Sequence, residues 1–310
     1  MIQHYLKIAL RNMRRFKLQT IVCLTGLAVG ITCFALGTLW LRYIESFEDF
    51  VPEVENVCLV TTGKNVFGTG YDYFTFFEDG KRLKDNVPEV EEACTAVNRY
   101  DETDTWEVRA DGGETMKMYV CRTDTSYFRF MRIEAVEGTL SHLNRGEAVV
   151  TRSAAKRLFG GESALGRQVL MKEKEEYSGD DEPLEADKNR YTVVAVVDDC
   201  PLNTQFYYDA ITPFLDDDYR GDGSGIYHTF VRLNPVAPRD SIVCRPLTVK
   251  CMMHYTFNNQ DVEGEREFVL APLKQLRTDF CNQTVLIATQ YVQWFRNIGV
   301  LVILCSLFNY

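Results

Sequence analysis

The sequence predicts an α+β domain held outside a membrane between two transmembrane helices, the first complete and the second truncated. Three features predict it: an uncharged run from Leu18 to Leu41, a second uncharged apolar run from Asn297 to Tyr310, and an acid-rich stretch between them. In that stretch short β-branched runs alternate with short helix signals. The expected division is an amphipathic cytoplasmic helix over 1–17, a transmembrane helix over 18–41, an extracytoplasmic α+β domain over 42–294, and the start of a second transmembrane helix over 295–310.

The first 17 residues carry Lys7, Arg11, Arg14, Arg15 and Lys17 and no acid. Tyr5, Leu6, Ile8, Ala9, Leu10 and Met13 recur at helical spacing on the other positions, the pattern of a basic amphipathic helix lying on a membrane surface or a cytoplasmic partner. The next 24 residues, Leu18 to Leu41, hold no charge, enough to cross a hydrocarbon core of about 30 Å as a helix. Their eleven Leu, Ile, Val and Phe side chains favour insertion by about 3–7 kcal/mol, partly offset by Gln19 and four threonines. The alternative is a cleaved signal peptide, whose apolar region would be about 7–15 residues followed by a small-x-small site. Here Ala35-Leu-Gly37 lies inside the run, so the segment reads as an uncleaved anchor.

Five cations precede this helix and Glu45-Ser-Phe-Glu-Asp49 follows it, so the positive-inside rule puts the N-terminus in the cytoplasm and the bulk of the chain outside. Trp40 and Tyr43 fall where an interfacial aromatic belt belongs. Gly26-Leu-Ala-Val-Gly30 is a GxxxG, a spacing that lets a second helix approach closely, so Gly26 and Gly30 are the candidate helix-packing residues. The C-terminal run stops after 14 uncharged residues, short of the roughly 20 that a span needs, and reads as a second membrane helix cut off.

The chain has 310 residues, 46% hydrophobic and 25% charged, enough apolar material for a real core. From Arg42 to Trp294 there are 28 basic against 44 acidic residues, an imbalance that argues against nucleic-acid binding. Strands are expected at Asn56–Thr62, Ala148–Thr151, Gln168–Met171, Tyr191–Val197 and from His228 to Leu233. Helices are expected over Phe74–Lys84, ended before Pro88, and Ser153–Phe159, capped by Ser153 and stopped by Gly160-Gly161. Lys172 to Asn189 is almost wholly polar and reads as a solvated loop.

Catalytic and ligand motifs fare poorly. Gly161-Glu-Ser-Ala-Leu-Gly166 has phosphate-loop spacing but lacks the Lys-Ser/Thr and follows a helix, so the chain is not expected to hydrolyse ATP. In the Asp-rich run Asp216–Asp222, Arg220 stands at a ligand position and Tyr227 where calcium needs a closing Glu. His4, His142, His228 and His254 are scattered without HExxH spacing, and there is no GxSxG. No catalytic residue, cofactor or metal is expected. Asn282-Gln-Thr284 is a glycosylation sequon by pattern alone. The aromatic run Tyr71–Phe77 reads as core. Of ten cysteines, Cys23, Cys33 and Cys305 lie in apolar runs. The other seven have no CxxC pair and are expected to be buried thiols.

Set in order, the landmarks resemble the permeases of MacB/FtsX-type ABC transporters. Leu6-Lys-Ile-Ala-Leu-Arg-Asn12 resembles that family's amphipathic helix, Gly26–Gly30 its membrane helix, and Glu45-Ser-Phe-Glu-Asp-Phe50 its exit from the membrane. Pro88–Glu91, Ala148-Val-Val-Thr-Arg-Ser-Ala-Ala-Lys-Arg-Leu-Phe-Gly160, Ala164-Leu-Gly166 and Tyr191–Val197 follow the order of the MacB-like periplasmic core domain, so the resemblance covers nearly the whole chain. It implies the N-terminal half of an inner-membrane permease with its main domain periplasmic, working as a homo- or heterodimer with separate ABC ATPase subunits and handling substrate by efflux or extraction. It also makes Arg11, Asn12 and Arg14 the candidate ATPase-coupling residues. The family's later membrane helices are absent from this chain. The alternative is a membrane-anchored sensory or regulatory ectodomain without transport.

Overall fold

The computed structural model describes residues 11, 14–64, 71–72, 75–98, 105–173, 184, 189–214, 227–255, 260–276 and 289–308. The chain divides into two units, Met1–Ser46 with Gln283–Tyr310, and Phe47–Asn282.

The first unit is a pair of apolar helices, α1 (Lys17–Glu45) at its N-terminal side and, at the C-terminal side, a 20-residue helix over Thr289–Phe308. Both are long and apolar enough to cross a membrane. Hydrocarbon offers no water to a hydroxyl, and three of the four α1 threonines meet that constraint internally, whereas the buried Thr38 Oγ1 has no partner among the described residues. Thr20, Thr25 and Thr32 each donate to the carbonyl four residues back, at 3.0, 2.8 and 2.8 Å, and Ser306 does the same to Val302 at 2.8 Å. Small residues on α1 face the other helix in reverse order: Gly26 meets Ser306, Gly30 meets Ile303 and Gly299, and Gly37 meets Arg296, so the pair is antiparallel. The second helix starts well before the uncharged run, at Thr289. Gln293 and Arg296 interrupt the apolar composition there without breaking helical propensity.

In the second unit the strands are β1 (Val57–Lys64), β2 (Tyr71–Asp72), β3 (Val90–Val97), β4 (Trp106–Ala110), β5 (Met116–Met118), β6 (Val120–Thr123), β7 (Ala135–Gly138), β8 (Glu147–Thr151), β9 (Gln168–Glu173), β10 (Arg190–Val197), β11 (Ala210–Pro213), β12 (His228–Leu233), β13 (Pro246–Tyr255) and β14 (Gln260–Pro272). They form one mixed sheet in the order β13-β14-β1-β12-β3-β6-β11-β8-β10-β9-β4-β5, with β2 on β1 and β7 on β10. Most neighbours are antiparallel; β8 with β10 and β6 with β11 are parallel. Helices α2 (Asp79–Asn86), α3 (Thr125–Met131), α4 (Arg152–Phe159) and the short α5 (Arg239–Ile242) complete the unit, and the helix over Thr289–Phe308 is α6. This is the α+β domain flanked by apolar helices that the sequence predicts.

Two helix starts differ from expectation, each for a local reason. Phe74 lies outside the described residues, and α2 begins at Asp79, not in the aromatic run. Thr75 is held in a β-bridge to Tyr227, and the Phe76 N–H donates to the Asp79 carboxylate at 2.8 Å, which fixes the turn before the helix. The α4 cap is Thr151, whose hydroxyl accepts from the Ala154 N–H at 3.3 Å, because β8 runs straight into the helix. Ser153 instead gives both its N–H and its hydroxyl to Asp199, each at 2.7 Å. Gly160 takes the left-handed position (φ 67°) that ends the helix. Of the aromatic run, Phe77 packs edge-on against Phe214 and Tyr227. The Asp-rich run, the sequon and most of the polar loop lie outside the described residues.

Among the described residues four apolar clusters line the sheet, the smallest being Val97, Phe214 and Tyr227 with Phe77. One gathers Phe128, Phe130, Phe206 and Phe230 with Val51, Val57, Leu273 and Leu276. A second lies under α4 around Trp106, Val150 and Met171, and a third around Leu83, Leu233 and Phe268. Cys58, Cys94, Cys121 and Cys200 are buried in these clusters as thiols, and Cys244 is exposed. Burial pushes the Cys58 and Cys200 thiols up to about 12.

Candidate functional site

Of the candidate coupling residues, Arg11 and Arg14 are exposed and Asn12 lies outside the described residues. The candidate packing residues are brought to the helix pair. A Cβ on Gly26 would sit 2.6 Å from Ser306 Oγ. One on Gly30 would sit 2.8 Å from Ile303 Cγ1 and 3.0 Å from the Gly299 carbonyl oxygen. At Gly299 backbone meets backbone, since a Cβ there would lie 2.8 Å from the Phe34 nitrogen and 2.9 Å from the Gly30 oxygen. Trp40 and Tyr43 on α1 meet at a tilt with ring centroids 6.0 Å apart, and Tyr291 and Trp294 on α6 meet edge-on at 5.8 Å. Because the helices are antiparallel and Gly37 meets Arg296, these two aromatic pairs mark the same end of the helix pair.

In the second unit the arrangement of greatest interest is where the chain arrives from α1 and leaves towards α6. The register pairs Cys58 at the start of β1 with Pro272 at the end of β14, so both connections join the same end of two neighbouring strands. The inbound segment Phe47–Asn56 is fastened at several points. Glu48 is only 1% exposed, yet it is a carboxylate. It accepts from the Thr204 hydroxyl and from the Gln205 N–H, each at 2.7 Å, while its own N–H donates to the Asn203 carbonyl at 3.1 Å. Three consecutive residues of the β10–β11 connection are thus bound by one residue. Bonds of this charge-assisted kind are worth about 1.5–3 kcal/mol each and offset the desolvation of the carboxylate.

The next residues extend the attachment. Asp49 pairs with Lys274 on the outbound segment. Val51 shares an apolar cluster with Leu273 and Leu276. Arg232, on β12, donates to the carbonyls of Pro52 and Phe130 and lies over the Phe130 ring at 4.6 Å, with Glu92 at 3.5 Å and Glu53 at 3.9 Å. Arg132 closes on Glu53. Glu48, Glu53 and Arg132 all have positive φ, at 62°, 53° and 51°, although none is glycine. Glu48 lies in the Glu45–Phe50 segment that the sequence marks as the exit from the membrane, whereas Thr204, Arg232 and Lys274 belong to no motif legible in the sequence.

The other buried carboxylates are held in ion pairs within the fold. Asp79 bridges α2 to β14 through Arg266 at 2.7 Å, with Arg82 at 3.2 Å. Burial holds its carboxyl above the usual range, against the pull of Arg266, the Phe76 N–H and Arg82. Asp209 pairs with Arg157. Among the described residues no cluster of three or more His, Cys, Asp and Glu is placed to hold a metal. The arrangement is a set of polar and apolar ties that fasten the segment after α1, and Lys274, Leu273 and Leu276 beyond β14, to one sheet.

Residues 20–243 match the family model described as the MacB-like periplasmic core domain. Among solved structures, a domain of a Porphyromonas gingivalis protein described as a permease shares the fold, at a TM-score of 0.50 and 16% identity over 72% of this chain and 91% of that one. The periplasmic region of MacB from Actinobacillus actinomycetemcomitans aligns at a TM-score of 0.42 and 14% identity, over 63% of this chain and 84% of that one. The extracellular domain of the noncanonic ABC-type transporter YknZ from Gram-positive bacteria aligns at 0.42 and 14%, over 60% and 88%. No curated protein matches the chain.

Proposed function

The chain belongs to the MacB-like periplasmic core domain family of permease proteins, and from that premise we propose that it is the transmembrane subunit of a MacB/FtsX-type ABC transporter. In this reading a partner subunit hydrolyses ATP, and the chain itself, which is not an enzyme, converts that cycle into movement of its periplasmic domain for efflux or extraction of a substrate. A second permease chain, the same or homologous, completes the membrane part.

The observation that carries the reading is the attachment of both membrane connections to adjacent strands of one sheet, through Glu48, Asp49, Val51 and Lys274. A displacement of α1 along its axis would reach the sheet through the fastened segment Phe47–Asn56 without being lost in a slack linker. Gly26 and Gly30 would let α1 and α6 move as one body. Arg11, Asn12 and Arg14, in a basic cytoplasmic helix over 1–17, would take the push from the ATPase, with the N-terminus inside and the domain over 42–294 periplasmic of the inner membrane.

The test is a mild-detergent pull-down of the full-length protein, with and without Arg11→Glu and Arg14→Glu. Recovery of an ABC ATPase that the charge-reversed protein loses supports the reading. Recovery of no ATPase, under conditions that preserve a known transporter, overturns it in favour of an anchored sensory domain.

A further inference from the structure

We propose that Phe50 and Leu202 form an apolar foot by which the outer domain rests in the interfacial layer of the lipid bilayer, a proposal that builds on the reading of α1 as a membrane span. Leu202 is 79% exposed and Phe50 40%, whereas their neighbours Phe47, Val51 and Phe206 are buried. Neither sits on a slack loop. Asn203, next to Leu202, accepts the Glu48 N–H, and Thr204 and Gln205 donate to the Glu48 carboxylate, so both apolar side chains project from one hydrogen-bonded graft.

Chain geometry puts lipid within reach. Glu48 follows the last residue of α1, Glu45, by three residues, about 10 Å of extended chain. Trp40 and Tyr43, which suit the interfacial layer, stand in the last two turns of that helix. On the Leu202 side the charge pattern agrees, while Phe50 follows Asp49, whose carboxylate is paired with Lys274. From Cys200 to Tyr208 no residue is charged, although acids outnumber bases strongly between Arg42 and Trp294. An uncharged loop loses little when headgroups replace water around it, and it suits a zwitterionic surface. A second protein copy fits less well, because a stable protein interface buries on the order of 1,000 Å² or more and two side chains supply a small part of that. For lipid the attachment already exists in α1, so a small apolar contact acts at high effective concentration.

The experiment places a photo-crosslinking benzophenone amino acid at Leu202, at Phe50, or at Glu114 in the β4–β5 turn, at the opposite edge of the sheet from β13. The full chain is reconstituted in phosphatidylcholine vesicles, irradiated and digested, and adducts are identified by mass. Lipid adducts at positions 202 and 50 at least tenfold above those at 114 support the proposal. Adducts to a second protein chain, equal labelling at all three positions, or no lipid adduct at 202 overturn it. Carbonate extraction of the same vesicles separates the causes. A chain that stays in the membrane without lipid adducts overturns the foot alone, and a chain that is released overturns the membrane span with it.

Discussion

The Glu48 carboxylate accepts a 2.7 Å hydrogen bond from the hydroxyl of Thr204, a residue 156 positions further along the chain. With the Gln205 N–H on its other oxygen, Glu48 closes a buried polar tie between the segment that follows α1 and the β10–β11 connection.

Replacing Glu48 tests that tie. Glu48→Ala leaves the Gln205 N–H without its acceptor in a buried setting, and should cost about 2–4 kcal/mol. Glu48→Gln keeps one carbonyl acceptor and should lose about half as much. Thermal unfolding of the detergent-solubilised chain, followed by circular dichroism, should rank wild type above Glu48→Gln above Glu48→Ala.

The outbound segment should depend on its apolar contacts more than on its ion pair. Leu273 is 2% exposed inside a core cluster, so Leu273→Ala is expected to cost about 2–5 kcal/mol. The Asp49–Lys274 pair is partly solvent-exposed, and Lys274→Ala should change stability by no more than about 1 kcal/mol. Equal losses in a denaturant titration would contradict this division.

The helix pair makes a steric prediction. Gly30→Ile would drive a branched side chain into Ile303 and the Gly299 backbone, whereas Ala28 is exposed and should accept isoleucine. Gly30→Ile is expected to lose about 1–3 kcal/mol, and Ala28→Ile to melt like the wild type in the same detergent.

Thiol chemistry should follow burial. Pushed up to about 12 from the ordinary 9.0, native Cys58 stays protonated at pH 9, where an unfolded cysteine is substantially ionised. Iodoacetamide at pH 8.5 should therefore modify exposed Cys244 quickly and leave Cys58 and Cys200 untouched until denaturant is added. The linkage has a definite sign. The folded state holds these protons more tightly than the unfolded state, so their contribution to stability is complete below pH 9 and is lost as pH rises from 9 towards 12.

Much of the fold is written in local pattern. The charge-free run of α1, the β-branched stretch that becomes β10 and the Gly160 stop of α4 each depend on neighbours within one element, and each can be read from sequence. The cap of α4 shows the limit. Thr151 and Ser153 are both good cap residues, and only the strand leading into the helix selects Thr151. Gly26 and Gly30 are legible through their spacing, but Gly37 and Gly299 are not, because their role exists only once two distant helices meet. Glu48 is less legible still. It is one acid among 44, and what distinguishes it is a partner strand-connection that no window of sequence contains. The nearest signal is the charge-free stretch from Cys200 to Tyr208, which marks a loop that is not simply solvated.

Three residues of the inbound attachment, Glu48, Glu53 and Arg132, hold a backbone twist that side chains resist, at about 1–2 kcal/mol each. That cost is recovered if the residues relax to extended geometry. Such a segment resists small displacements through its hydrogen bonds, and under a larger pull it can lengthen by unwinding Glu48 and Glu53 while the sheet behind it stays intact. If α1 moves as the proposed function has it, the connection would then behave as a stiff link with a built-in yield point, limiting the force that one stroke of the helix delivers to the domain.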